Sequence, residues 1–118
     1  MVNKASDLSW KAETPCVGFI TAPSLDVART LATQLLEHAS IACANLIPGI
    51  ESIYRWEGKV QADQEVLIMI KTMVSAQSRV IEVIEREHPY EVPECIFVEI
   101  GDGHLPYLTW LQKEVRKT

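Results

Sequence analysis

The sequence has few cysteines, no long hydrophobic run and a shortage of basic residues. Its 118 residues include three cysteines, Cys16, Cys43 and Cys95, which lie far apart and form no CxxC pair. An odd, scattered set of cysteines makes a poor disulfide framework and favours a reducing compartment. No apolar run approaches the roughly 18–20 residues that a membrane-spanning helix needs. We therefore expect a cytoplasmic protein without a membrane partner.

Positive charge is also scarce, with eleven Lys and Arg against sixteen Asp and Glu and a net charge of −5. Proteins that bind the phosphates of nucleic acids need a basic surface, so nucleic acid is not an expected partner. An acidic surface is compatible with cation binding. The sequence contains no P-loop, Gly-x-Ser-x-Gly or HExxH motif. We therefore expect a protein that is not an enzyme.

The order of the hydrophobic segments predicts a single α+β domain. Residues 1–13 show no clear periodicity and are expected to form a flexible lead-in to a folded domain over 14–118. The pattern beyond the lead-in predicts a ferredoxin-like βαββαβ antiparallel sheet, with both long helices on one face and an extra C-terminal helix. The predicted strands are 15–21, 41–56 with a break at Pro48-Gly49, 65–71 and 94–100, and the predicted helices are 25–38, 74–87 and 105–115.

The predicted strands carry apolar residues on both of their faces. In the segment 65–71, Val66 and Ile68 alternate with Leu67 and Met69. Two long helices cover only one face of a sheet, and an uncovered apolar face makes a large exposed patch. We therefore expect a homo-oligomer that buries the second face. The alternative is a monomer in which the lead-in folds over that face.

Five sequence blocks, in order and with matching spacing, resemble the CutA family of divalent-cation tolerance proteins. The blocks are ACANLIPGI (42–50), SIYRWEGK (52–59), EVLIMIKT (65–72), HPYEVPE (88–94) and YLTW (107–110). The resemblance implies a ferredoxin-like subunit assembled as a homotrimer, similar to the trimeric PII signalling proteins. It also implies a role in tolerance to copper and other divalent metals, because some members of the family bind copper(II).

The family's copper sites imply a location for metal binding in this chain. Members with such sites carry a cysteine at the end of the first strand and two adjacent histidines before a Pro-Tyr pair, and these positions hold Ile20, Glu87 and His88 here. A carboxylate and an imidazole suit copper(II) or another divalent metal, so the resemblance implies His88 and Glu87 as ligands. Glu91 or a group from a neighbouring subunit can complete the site. The alternative is that His88 only interacts with the helix dipole, as we expect for His38, a helix-capping residue.

Polar and aromatic residues in the same blocks are candidates for a ligand cleft between subunits, where small-molecule sites often form. Aromatic rings offer flat contacts, a lysine binds anions and carboxylates bind cations. A PII-like signalling or scaffold trimer, with a small ligand or a protein partner in this cleft, is therefore the alternative function. In a purely structural interpretation the aromatic residues anchor the interface, and Lys71 forms a salt bridge with Glu91 of another subunit. The candidates are Tyr54, Trp56, Lys71, Tyr90, Glu91 and Glu94.

Overall fold

Residues 13–116 are described by a computed structural model, in which a four-stranded antiparallel sheet carries two long helices on one face. The predicted order β-α-β-β-α-β with a terminal helix is confirmed, and the strands lie in the spatial order β2-β3-β1-β4. Apart from Glu13, the predicted flexible lead-in over 1–13 lies outside the described residues. The strands are β1 (Pro15–Ala22), β2 (Cys43–Trp56), β3 (Lys59–Met73) and β4 (Cys95–Glu99), and the helices are α1 (Leu25–Glu37), α2 (Gln77–Glu87) and α3 (Leu105–Glu114).

Residues next to the ends of the two long helices explain where these helices begin or end. The Ser24 side chain accepts a hydrogen bond from the Val27 backbone N–H at 3.2 Å and caps the start of α1. A 3-10 turn, Val74–Ala76, precedes α2, so the first turn of the predicted helix 74–87 is tighter than an α-helix. Helix α2 ends at the residue before His88, which precedes Pro89 and has an extended backbone, as a residue before proline prefers.

Strands β2 and β3 form a long hairpin whose outer half we call the arm (residues 50–65). The prediction that the third strand begins at residue 65 is wrong, because β3 starts at Lys59. Residues Glu57 and Gly58 have φ values of 50° and 79°, which are typical of a type I′ turn, and this turn pairs the polar residues after it with β2. A bulge between Ile47 and Ile50 marks the base of the arm, at the predicted break in β2. The described part of the chain measures 53 × 29 × 27 Å.

The core lies between one face of the sheet and the two long helices. Ile20 and Ile68 on the sheet are fully buried, as is Leu35 on α1. Leu111 of α3 packs into a second, smaller cluster at one end of the sheet, with Ala42, Met73, Ala76 and Val115.

The opposite side of the sheet, which we call the open face, is apolar and only partly covered. It carries the side chains that alternate with the core residues, among them Phe19, Met69, Ile96 and Val98. Ile96 and Val98 are 55% and 58% exposed. The prediction that the helices leave apolar surface uncovered is therefore confirmed for this chain, while the homotrimer stays a prediction. No helix within residues 13–116 has the length and apolar character needed to span a membrane.

Candidate functional site

His88 is a buried residue that uses both of its ring nitrogens in hydrogen bonds. Its Nε2 lies 2.8 Å from the carbonyl oxygen of Thr21, and the backbone N–H of Tyr90 donates to its Nδ1 at 3.1 Å. Because Nδ1 accepts a hydrogen bond, the ring proton resides on Nε2 and is donated to Thr21. The side chain is only 8% exposed. His88 therefore fastens the loop after α2 to the end of β1, and neither nitrogen is free for a metal in this arrangement.

Glu87 directs its carboxylate towards α1. The Gln34 side-chain amide donates to Glu87 Oε1 at 2.9 Å, and Arg86 Nε donates to Glu87 Oε2 at 3.0 Å. The hydrogen bond from Gln34, followed by the one from Arg86, holds the pKa of Glu87 below its usual range. Glu87 is therefore an ionised carboxylate at the surface, where the end of α2 lies beside α1.

The structure does not gather the residues implied as a copper site into a ligand set. Ile20 is fully buried in the core, and His88 and Glu87 contact different partners although they are adjacent in the chain. Within residues 13–116, no group of three or more His, Cys, Asp and Glu side chains is placed to hold a metal ion. The assignment of His88 and Glu87 as metal ligands therefore stays a prediction, and it requires a rearrangement of His88.

Two tyrosine–carboxylate pairs lie together at the base of the arm. Tyr90 donates its hydroxyl to Glu65 at 2.7 Å, and Tyr54 donates to Asp63. Burial, and then the hydrogen bond to Glu65, raises the pKa of the Tyr90 phenol well above its usual value, and the charges of Tyr54 and Asp63 add to this effect. We call these four residues the tyrosine–carboxylate cluster. Glu65 is only 8% exposed, so the cluster buries a carboxylate.

Sequence reasoning found both tyrosines of this cluster but missed both carboxylates. Asp63 and Glu65 are two positions apart on β3, so their side chains lie on the same face of the strand. That spacing is visible in the sequence. It does not show that the two carboxylates contact tyrosines, because those contacts depend on the extension of β3 back to Lys59 and on the position of the loop that carries Tyr90.

The other four cleft candidates are not members of the tyrosine–carboxylate cluster. Lys71 is six positions beyond the cluster along β3, roughly 20 Å away, and it donates to the Asn45 side chain. Trp56 is the last residue of β2, next to the turn of the arm, and is 45% exposed. Glu91 and Glu94 are exposed in the loop after α2. A cleft that contains all six candidates would need surfaces from more than one subunit, so it stays a prediction.

Replacing Tyr90 with phenylalanine is expected to destabilise the protein by about 1–3 kcal/mol, because the buried Glu65 carboxylate loses a hydrogen bond. Urea unfolding at pH 8 measures the change. Tyr54→Phe is the matched control: Tyr54 is 42% exposed, so we expect a clearly smaller loss. Equal losses in the two variants would contradict a special role for the buried pair.

The same hydrogen bond predicts a pH dependence. The pKa of Tyr90 is raised in the folded state, so the folded protein keeps this proton after an unfolded tyrosine, with a pKa of about 10, has lost its own. The contribution to stability is complete below about pH 10 and is lost as the pH rises above it. The difference in unfolding free energy between the parent protein and Tyr90→Phe should therefore shrink between pH 9 and pH 11. A constant difference would contradict this linkage.

Comparison with known proteins finds similarity along most of the described chain. The profile of the CutA1 divalent ion tolerance protein family matches residues 16–114. The divalent-cation tolerance protein CutA of Thermus thermophilus is 45% identical over 97 residues, which cover 82% of this chain and 94% of that protein. Protein CutA of Homo sapiens is 43% identical over 95 residues, which cover 80% of this chain and 53% of the human protein. The chain thus spans nearly all of the bacterial relative and about half of the human one.

Solved structures agree with the sequence comparison. The divalent cation tolerance protein of Thermus thermophilus superposes with a TM-score of 0.85 at 43% identity, covering 86% of this chain and 99% of that one. CutA1 of Oryza sativa superposes with a TM-score of 0.86 at 40% identity, covering 90% and 99% of the two chains. Sequence and fold are therefore similar to the same group of proteins.

Proposed function

Because the chain belongs to the CutA1 divalent ion tolerance protein family, we propose that it is a cytoplasmic homotrimer that binds copper(II) or another divalent metal and contributes to tolerance of such ions. The observation that carries this proposal is the adjacency of a surface carboxylate, Glu87, and an imidazole, His88, at the end of α2; in the present arrangement the two side chains contact different partners. Carboxylate oxygen and imidazole nitrogen are ligands that suit divalent copper and zinc.

Metal binding at His88 has a structural consequence. The lone pair of Nδ1 accepts the Tyr90 N–H, and Nε2 donates to Thr21. A metal ion on either nitrogen replaces one of these hydrogen bonds, so binding at His88 is coupled to movement of the loop that carries Tyr90. The Ile20 side chain supplies no ligand, and a site of this kind lacks the thiolate that copper(I) prefers. The proposal therefore concerns divalent ions.

Two observations support the cytoplasmic homotrimer. The open face exposes Ile96 and Val98, which a second copy of the chain can cover. Cys16, Cys43 and Cys95 are all free thiols, as is usual in a reducing compartment. The proposal includes no catalytic step.

Light scattering and calorimetry test this proposal together. We expect a mass three times that of the 13.3 kDa chain and saturable Cu(II) binding in a fixed ratio to subunits. His88→Gln removes the imidazole but keeps an amide that can donate to Thr21, so it tests ligation by His88 with less risk of unfolding. Loss of binding in this variant supports His88 as a ligand. A monomeric mass, or the absence of saturable binding, would contradict the corresponding part of the proposal.

A PII-like signalling or scaffold trimer is the second candidate function, and the tyrosine–carboxylate cluster favours it. Two tyrosines and two carboxylates interact at the base of the arm, and Glu65 is buried among them. In this function the cluster, with Trp56 and Lys71 of the subunits around it, contacts a small ligand or a protein partner. Capture of one defined protein by the metal-free trimer, abolished by Tyr54→Ala, would support this candidate over metal binding.

A further inference from the structure

Helix α3 places two aromatic side chains at one end of the open face. The Tyr107 hydroxyl lies 3.6 Å from Cys43 Sγ. Cys43 pairs with Lys71, which is two positions from Met69 and therefore lies on the open face. The rings of Tyr107 and Trp110 contact each other, with their centroids 5.5 Å apart, and each residue is 41% exposed. We call these two residues the aromatic wall, an apolar surface beside β2.

Lys71 is a cation on this otherwise apolar face. It is half-buried, and its ammonium donates to the Asn45 side chain. Asn45 is two positions after Cys43 on β2, so its side chain lies on the open face as well. The ion pairs among residues 13–116 do not include Lys71. A neutral amide is therefore the hydrogen-bond partner that the described part of the chain gives to this positive charge.

The charge of Lys71 favours an anionic ligand. A charged group that is removed from water needs a partner of opposite charge, and a homotrimer that covers the open face takes Lys71 out of water. The Asn45 amide accepts from Lys71 through its oxygen, which leaves its N–H groups as donors. Ammonium and amide can thus donate to the same carboxylate, and the hydrogen bond between two charged groups is a strong one.

The aromatic wall is close enough for one small molecule to reach both groups. Cys43, which contacts Tyr107, is roughly 7 Å along β2 from Asn45. A ligand that extends from Lys71 to the wall is best matched if it carries a flat ring, because aromatic rings pack favourably edge-to-face or offset-stacked. The chemistry of this surface therefore combines a carboxylate site with a site for an aromatic ring.

We propose that this end of the open face binds a small aromatic carboxylate. The anion lies on Lys71 and Asn45, and the ring lies against the aromatic wall. The proposal rests on the second candidate function, for which it names the class of small ligand. It places that ligand beside α3 rather than at the tyrosine–carboxylate cluster, and the partner subunit that covers the open face closes the site. Binding involves no covalent step.

Calorimetric titration of the full chain with benzoate tests this site. Benzoate is expected to bind saturably. Benzamide keeps the ring but lacks the charge, and cyclohexanecarboxylate keeps the charge but lacks the flat ring, so both are expected to bind more weakly.

Four variants of the chain locate the binding. Lys71→Met should weaken benzoate binding by about tenfold or more, as expected when a hydrogen bond to a charged group is lost. Lys59→Met is the matched control, because Lys59 is an exposed lysine at the other end of β3, and it should bind benzoate as the parent protein does. Asn45→Asp keeps the lysine but places a carboxylate beside it, so it should also weaken binding. Trp110→Leu should weaken binding through loss of the ring contact. Light scattering checks that each variant keeps the mass of the parent protein.

The outcomes separate this inference from the second candidate function. Weakened binding in Lys71→Met and Asn45→Asp, with unchanged binding in Lys59→Met, supports the site. Equal losses in the two lysine variants overturn it, because they indicate a general attraction of anions. Loss of binding in Tyr54→Ala with unchanged binding in Lys71→Met overturns the site and leaves the second candidate function at the tyrosine–carboxylate cluster.

The absence of saturable benzoate binding in the parent protein overturns the inference alone, since capture of a protein partner tests the second candidate function separately. Binding that appears only in Glu91→Gln also overturns it, because it indicates that Glu91 of the partner subunit already pairs with Lys71.

Discussion

An aspartate in place of Val98 is expected to abolish assembly of the protein. Val98 lies on the open face and is 58% exposed in the single chain, so the change by itself disturbs the subunit little. In a homotrimer that buries this face, one substitution places three carboxylates in apolar surroundings. The effective cost of burying an unpaired charge is several kcal/mol per ion. Light scattering should show loss of the trimer, and thermal unfolding should occur at a markedly lower temperature.

Ile81→Asp provides the matched control for this experiment. Ile81 is 39% exposed on α2, so the same chemical change is made on the outer helical surface. The control should keep the mass and nearly the unfolding temperature of the parent protein. A Val98→Asp variant that assembles like the parent protein would contradict burial of the open face. We also expect subunit dissociation and unfolding to coincide, and a folded monomer on dilution would argue against an obligate assembly.

Removal of the His88 side chain is expected to cost about 2–4 kcal/mol of unfolding free energy in the absence of any metal. His88→Ala leaves the Thr21 carbonyl and the Tyr90 N–H without their partner, and each unsatisfied buried group costs about 1–3 kcal/mol. The lost ring also leaves a cavity in a well-packed region, which adds to the cost. Urea unfolding of metal-free protein measures the change.

The comparison with His104→Ala shows whether this effect is specific. His104 is exposed, and surface substitutions usually change stability by less than about 0.5 kcal/mol. His88→Gln, which retains a donor for Thr21, should fall between the two alanine variants. If His88→Ala were as stable as His104→Ala without metal, the two hydrogen bonds would contribute nothing, and a role for His88 only as a ligand would be the better explanation.

The predicted end of the second helix is confirmed and the predicted start of the third strand is wrong, because the first depends on local backbone restriction and the second on pairing with a neighbouring strand. The end of α2 at residue 87 followed from the proline at 89, whose ring restricts the backbone of the residue before it. The start of the third strand was placed six residues too late, because residues 59–64 are mostly polar, with Val60 and Ala62 the exceptions, and lack the continuous apolar signal of a buried strand. Their strand structure comes from pairing with β2 through the turn at Glu57 and Gly58, a turn that the local sequence does predict, whereas the length of the pairing beyond it is not predicted.

For the candidate site, the sequence predicted several of the residues but not their contacts. The sequence singled out His88, Glu87, Tyr54 and Tyr90, but it did not say what each side chain contacts. Glu65 reaches Tyr90 across 25 positions of the chain, and Gln34 reaches Glu87 across 53. Such contacts depend on strand register and on how the two helices pack against the sheet. His38, by contrast, was predicted to end the first helix from the local pattern alone, and it is the C-cap residue of α1.

By itself, the sequence determined the order of strands and helices, the apolar character of both sheet faces and the family to which the chain belongs. These properties follow from side-chain periodicity, from the turn residues and from motifs that are read along the chain. Only the tertiary structure decided that His88 is a buried link between β1 and the loop after α2, that the Glu87 carboxylate points to α1, and that Glu65 is buried beside Tyr90. The physical reason is that burial and hydrogen-bond partners depend on segments far apart in sequence, which come together only when the sheet and helices pack.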